Sequence, residues 1–224
     1  MDDLDRVERD VVGCFACPRL VAWRERVAAE KVARFADWEY WGRPVPGFGD
    51  PGARVVIVGL APAAHGANRT GRVFTGDRSG DFLFASLYRT GFANQPSSTH
   101  RGDGLVLADC FVTAAVKCAP PANKPTPGER DACRPFLERE LAALRRARVV
   151  VALGRLGWDS VVRHHGVRPR PSFAHGAEVA LADGTTLLGS YHVSQQNTFT
   201  GVLTEPMLDA VLMRAAMLAA GTEQ

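Results

Sequence analysis

The stretch "ARVVIVGL", 53–60, constrains the fold more than any other part of the chain. From Val55 onward it is a continuous apolar run without polar alternation, so as a strand it must be covered on both faces. "VVVALG", 149–154, repeats the pattern, and "LVLADCFVTAAVKC", 105–118, holds another apolar strand region. Helical patterning separates these runs. "SGDFLFASLYRTGF" has Ser79 to cap a helix and Gly91 to stop it. "TPGERDACRPFLERELAALRRA" has Thr126 as cap, Pro127 just inside and Glu129 three residues after the cap. Residues 1–13 and roughly 18–36 read as helices, 44–52 as a turn-rich connector and 155–165 as a further helix. A strand pair is expected near 177–190 around the turn "ADGT", and a closing helix from about 203 to 220. Strands alternating with helices predict an α/β fold, a three-layer α/β/α sandwich around a mostly parallel central sheet. At 224 residues one domain spanning the whole chain is the expectation.

In such a sheet ligands bind beyond the carboxyl ends of the strands. That rule gathers the loops 59–77, 117–128 and 189–201 on one edge. The first, "GLAPAAHGANRTGRVFTGD", lacks the Walker pattern GxxxxGK[ST], and Gly59, Gly66 and Gly71 do not match GxGxxG, which disfavours a dinucleotide. It offers backbone N–H groups, His65, Asn68 and Arg69 to an anionic ligand, or else serves as a long surface loop. The third, "GSYHVSQQNTFTG", follows a strand and is polar without charge, a hydrogen-bonding finger in which His192 alone would more often be structural. "RHHGVRPRPSFAHG", 163–176, is either a solvated basic loop or a phosphate contact through residues such as Arg168 and Arg170.

The net charge of +3 permits nucleic-acid binding without arguing for it. The acidic start "MDDLDRVERD" has no apolar h-region, and no apolar run approaches the length of a membrane span. A soluble cytoplasmic protein with no membrane partner is expected. Disulfides are therefore not expected among Cys14, Cys17, Cys110, Cys118 and Cys133. The odd count suits four ligands and one bystander, with Cys110, inside an apolar strand, as the packed thiol. Four thiolates hold zinc or an iron–sulfur cluster. Zinc ribbons repeat the CxxC knuckle in both halves, whereas here "CFACPR" is followed by Cys118 and Cys133 at a wide spacing, which favours iron–sulfur. A redox CxxC pair lacks the thioredoxin-like context around it.

In order, "CFACPRL", "GLAPAAHGANRTGRVFTGD", "KCAPPANKPTPGE" and "YHVSQQNTFTGVLT" cover nearly the whole chain, and together they resemble the family 5 uracil-DNA glycosylases of bacteria and archaea. The resemblance implies a uracil-DNA glycosylase-like fold and a [4Fe–4S] cluster on Cys14, Cys17, Cys118 and Cys133 that ties in the N-terminal helices. It implies base flipping and hydrolysis of the N-glycosidic bond, which leaves an abasic site. On that pattern His192 stabilises the departing base anion, Phe74 stacks on the flipped base, Asp77 handles the attacking water or the sugar's positive charge, and Asn123 contacts that water. The backbone from Gly59 through Ala61 and Ala63, together with His65, lines the pocket. Gln195, Gln196 and Asn197 enter the minor groove, and Arg69, Arg168 and Arg170 contact phosphates. Where related enzymes carry an Asn to read the uracil edge, this chain aligns Ala114, and "GLAPAAH" has no carboxylate before Asp77. Losing a reading amide predicts a permissive pocket for uracil and other deaminated bases such as hypoxanthine in DNA. A monomer suffices for that chemistry. The competing classes are an iron–sulfur redox protein, indifferent to changes at Asp77 and His192, and a non-cutting damaged-base DNA-binding protein, which would shift DNA in a gel without forming abasic sites.

Overall fold

A computed structural model describes residues 3–221. Its centre is a six-stranded sheet in the order β1-β3-β2-β4-β6-β5. The strands are β1 (Phe48–Gly49), β2 (Val55–Gly59), β3 (Cys110–Ala114), β4 (Val149–Leu153), β5 (Glu178–Ala180) and β6 (Thr186–Ser190). β3, β2, β4 and β6 run parallel, and short antiparallel β1 and β5 close the two edges. Every residue of β2, β3 and β4 is buried, as the unbroken apolar runs require.

Alternate residues of those strands feed two cores. Val55, Ile57, Val112 and Val151 pack with α4 (Arg78–Arg89) and α8 (Glu205–Ala220) through Leu83, Phe84, Leu87, Leu208 and Leu212. Val56, Val58, Phe111 and Val150 pack on the other face with α5 (Pro127–Ala143) and α6 (Arg155–His164) through Leu137, Trp158 and Val161. The three layers follow directly from the period of two along each strand. Thr126 caps α5 through the Glu129 amide at 3.2 Å, and the Glu129 carboxylate returns to the Thr126 amide at 2.7 Å.

At the N-terminus α1 (Leu4–Val12) and α2 (Pro18–Glu30) lie outside the sandwich, and the helix expected to run to 36 instead stops at Glu30 and resumes as a 3-10 turn over Ala33–Phe35. Both are tied to α5 by ion pairs: Asp10 accepts from Arg139 at 2.6 Å, and Glu129 accepts from Arg19 Nε at 2.7 Å and from its terminal nitrogen at 2.6 Å. Two further helices are short and lie in the loops at the carboxyl edge, α3 (Ala67–Thr70) and α7 (Gln195–Phe199). Asp77, not Ser79, caps α4: its Oδ1 accepts the Gly80 amide at 3.0 Å. The helix therefore begins one residue after the acid, and the cap holds that carboxylate still.

Candidate active site

The carboxyl ends of β2 and β3 place Gly59 beside Ala114 in register. Gly59 must be glycine, because a Cβ there would sit 2.6 Å from Phe74 Cζ. The Phe74 ring lies at that strand end and meets His192 with centroids 6.2 Å apart, and Ala114 shares its cluster. Gly59, Phe74 and His192 therefore form one packed wall, with Ala114 beside Gly59 on the neighbouring strand. Phe74 has φ +52, a left-handed backbone unusual for a non-glycine residue and a form of strain concentrated at functional sites. The shape is imposed by a buried network: Arg72 donates to Thr75 Oγ1 at 3.0 Å, Ser98 Oγ at 2.8 Å and Asp103 Oδ2 at 2.6 Å. The carboxyl of Asp103 is held well below the usual carboxylate range by Arg72 and the amides of Thr99, Leu105 and His100, despite the opposing effect of burial.

Asp77 lies against the loop floor, where a Cβ on Gly66 would overlap its carboxylate. Burial pushes its carboxyl up, and the Gly80 and Ser79 amides at the start of α4 and the Arg69 charge restrain the rise. Burial pushes the His192 imidazole down, so it is neutral at pH 7. Two side chains fix the His192 segment: His175 Nδ1, which the sequence reading did not single out, accepts the Tyr191 amide at 3.1 Å, and the Asn197 amide group donates to the His192 carbonyl at 2.8 Å. That bond gives Asn197 a local holding task. Gln195 and Gln196 are exposed on α7. Beside them Phe199 is 67% exposed with the Arg78 guanidinium over its ring, an apolar tip that residue pattern alone did not mark.

His65 is half-buried, pushed down by burial, and bonded through Nδ1 to the Tyr40 hydroxyl at 3.1 Å. Ala61 and Ala63 are half-buried in the same loop. Asn123 is exposed in a 3-10 turn beyond β3 with φ +55, a conformation Asn tolerates better than most residues.

Arg69 corrects the phosphate-contact expectation. It is 3% exposed, and it donates to the carbonyls of His65 at 2.8 Å and Gly76 at 2.7 Å, so it locks the loop from inside. Arg168 and Arg170 are exposed on the segment after α6, and Arg170 lines a cavity between α5 and α6 with Arg130, Arg134 and Arg163, apart from the groove that holds Asp77.

The four expected ligand cysteines converge: Cys14, Cys17, Cys118 and Cys133 line one small cavity closed by Leu20, Pro44 and Phe136. Cys110 is buried elsewhere in β3. Among the described residues no group of three or more His, Cys, Asp or Glu side chains is arranged to hold a metal ion. The test of fit is Arg24. It is fully buried, donates to Cys118 Sγ at 3.0 Å and the Cys14 carbonyl at 3.2 Å, and leaves Nε and one terminal nitrogen without a hydrogen-bond partner. The nearest carboxylate, exposed Glu25, is 3.8 Å away. A buried cation in that state calls for an anion, and thiolates ligating a cluster would supply one.

The sequence profile of the uracil DNA glycosylase superfamily matches residues 46–215. The chain is 54% identical over 209 residues to a type-5 uracil-DNA glycosylase of Mycobacterium tuberculosis, covering 92% of this chain and 78% of that protein. The chain belongs to the type-5 uracil-DNA glycosylases. It is also similar to that family's proteins from Thermus thermophilus, 52% identical over 97% of this chain and 99% of the relative, and Pyrobaculum aerophilum, 50% identical over 92% and 89%. Type-5 membership and the parallel sheet agree with the sequence expectation for family and fold. No helix among the described residues is long and apolar enough to cross a membrane.

Proposed function

We propose that this chain is a monofunctional DNA repair glycosylase that hydrolyses the N-glycosidic bond of uracil in DNA. The observation that carries the reading is the pairing, at one sheet edge, of a Gly59–Phe74–His192 wall with a burial-raised carboxylate, Asp77, on the adjoining loop floor. The extruded base stacks on Phe74, and the neutral His192 donates a hydrogen bond to the base oxygen where negative charge grows. The C1′–N1 bond breaks with its electron pair leaving on uracil. Ionised Asp77 stabilises the positive sugar and receives a proton from the water whose oxygen bonds to C1′, with Asn123 as a second contact to that water. Gln195 and Gln196 occupy the space left in the duplex.

Ala114 supports the wider part of the reading. It pairs with Gly59 at the strand ends and carries no amide that could discriminate the uracil edge, so hypoxanthine and other deaminated bases are accepted as well. A [4Fe–4S] cluster on Cys14, Cys17, Cys118 and Cys133 supplies buried negative charge opposite Arg24 and joins α2, the loop after β3 and α5. The protein acts as a monomer in the cytoplasm.

The test is excision from end-labelled duplexes carrying U·G, U·A or hypoxanthine opposite T, with alkali to reveal abasic sites. Wild type cleaves all three, and Asp77→Ala loses about 10²–10⁴ in rate. Binding without abasic sites would replace this reading with the non-cutting DNA-binding one. Cleavage at uracil alone would restrict the substrate range.

A further inference from the structure

Residues 31–41 reach the mouth of the site from outside the sandwich and build a stack there. The Arg69 guanidinium carbon lies 3.8 Å from the centre of the Phe35 ring and 4.1 Å from that of Trp38, in the corner formed by two rings that meet edge to face at 72° with centroids 6.1 Å apart. Arg34 lies over Phe35 at 4.4 Å. Arg69 is fixed by its two carbonyl bonds within the Asp77 loop, so it fixes both rings in turn. Even so, Trp38 remains 37% exposed. It lines a groove of about 620 Å³ with Arg34, Phe35, Asp77, Arg78, Ser98, Thr99 and Gln195. That volume lies within the range of small-molecule clefts. The groove is continuous with the candidate site through Asp77 and Gln195.

A flat, pre-ordered aromatic surface beside cations is the usual means of holding an unpaired or partly unstacked nucleobase. Extruding one nucleotide exposes a face of each of its neighbours, and those faces need a partner. We propose that Trp38 is the stacking platform for the nucleobase adjacent to the extruded one on the same strand, with Arg34 and Arg78 as contacts for the adjoining phosphates. The inference rests on the glycosylase reading and adds a subsite to it. The acid on the rim, Asp81, is offset by Arg78, which draws its carboxyl down against the rise that burial causes. The stacked Arg69 takes no part in phosphate binding. Its role is to hold the platform rigid, which lowers the entropy lost when DNA arrives.

Equilibrium binding tests this independently of catalysis. Fluorescence anisotropy is measured with duplexes in which a tetrahydrofuran abasic analogue replaces uracil, and in which the 5′ or 3′ neighbour is either a purine or a second abasic spacer. The proteins are wild type, Trp38→Ala and Trp38→Phe. Removing the base on one side weakens wild-type binding about tenfold. Trp38→Ala loses the same tenfold on the intact duplex and nothing more when that neighbour is absent, and Trp38→Phe recovers most of the loss. Losses that multiply, or an Ala variant indifferent to both neighbours, would overturn the platform. A merely structural Trp38 would slow single-turnover excision on every duplex alike, with no dependence on the neighbour. Absence of excision by wild type would overturn the glycosylase reading alone, because the binding comparison still reports on Trp38.

Discussion

At the scale of single residues, the site depends on two opposed effects of burial. Asp77 has its carboxyl raised and His192 its imidazole lowered, each chiefly by desolvation. On the proposed mechanism only ionised Asp77 serves the sugar, so excision should fall as pH drops through a midpoint above the ordinary value of about 3.9. His192 is already neutral, so the rate does not decline as pH rises through about 6.5. Single-turnover rates from pH 4.5 to 9 should show one acid limb and a flat neutral region. His192→Asn lowers the plateau and leaves the limb in place. A rate that fell on raising pH through 6.5, with the fall removed in His192→Asn, would make the imidazolium the working form. The same shift has a stability sign. A carboxyl whose folded value is raised favours the fold when protonated and opposes it once ionised. Asp77→Asn keeps an N-cap and removes that charge, so it should melt higher than wild type at pH 7, with the difference closing towards pH 4. The place of Asp77 at the end of the loop after β2 was legible in the sequence, but its cap on α4 was not, because Ser79 offered an equally good capping side chain two residues on. The trapping of Arg69 was not, since its partners Phe35 and Trp38 lie some thirty residues upstream and nothing local records that they meet.

At the scale of elements, a buried ion pair joins the loop after β3 to α5. Lys117 Nζ lies 2.6 Å from Glu140 Oε2 and 2.6 Å from Thr113 Oγ1, and Glu140 also accepts the Gly47 amide at 3.0 Å and the Thr113 hydroxyl at 2.6 Å. Lys117 is 1% exposed and Glu140 2%, and the Lys117 amide donates to Cys133 Sγ at 3.2 Å. Lys117→Met strands a buried carboxylate and should cost about 3–5 kcal/mol by urea denaturation. Lys117→Met with Glu140→Gln should recover much of that, since no unpaired charge remains. A single variant within about 0.5 kcal/mol of wild type would show that water reaches Glu140. The elements divide by how local their causes are. β2, β4 and α5 were readable because an unbroken Val run and a capping box each act within one segment. β1 was hidden: its two residues sit in a Pro/Gly connector and become a strand only by pairing with β3. α3 and α7 were missed for the same reason, since four or five residues carry too little periodicity and owe their helicity to the loops around them.

At the scale of the whole molecule, the sandwich and the N-terminal flank are separable in their sources of stability. The two cores around the sheet use residues from β2 onward almost exclusively. The flank instead holds on through the buried side chains of Val7, Val11 and Leu20, the pairs Arg19–Glu129 and Arg139–Asp10, the Asn68 amide on the Arg24 carbonyl at 3.2 Å, and the cysteine cavity. Exposed ion pairs contribute little and the flank's apolar cluster is small, so metal ligation would add a large share of its stability. Cys17→Ser should therefore bleach the visible absorption of a cluster and strip hydrogen-exchange protection from residues 4–30, while the amides of Val55–Gly59 stay protected. The chemistry sits on the sandwich, but the Phe35–Trp38 stack hangs from the end of α2. The same variant should consequently bind DNA about tenfold more weakly while its single-turnover rate at saturation stays within a few-fold of wild type. A single cooperative loss of protection across the chain would show that the flank and sandwich are one folding unit. A lost maximal rate with residues 4–30 still protected would place the cluster in the reaction itself. Weaker binding with an intact rate connects iron ligation to strand grip through α2, a path that runs outside the sheet entirely.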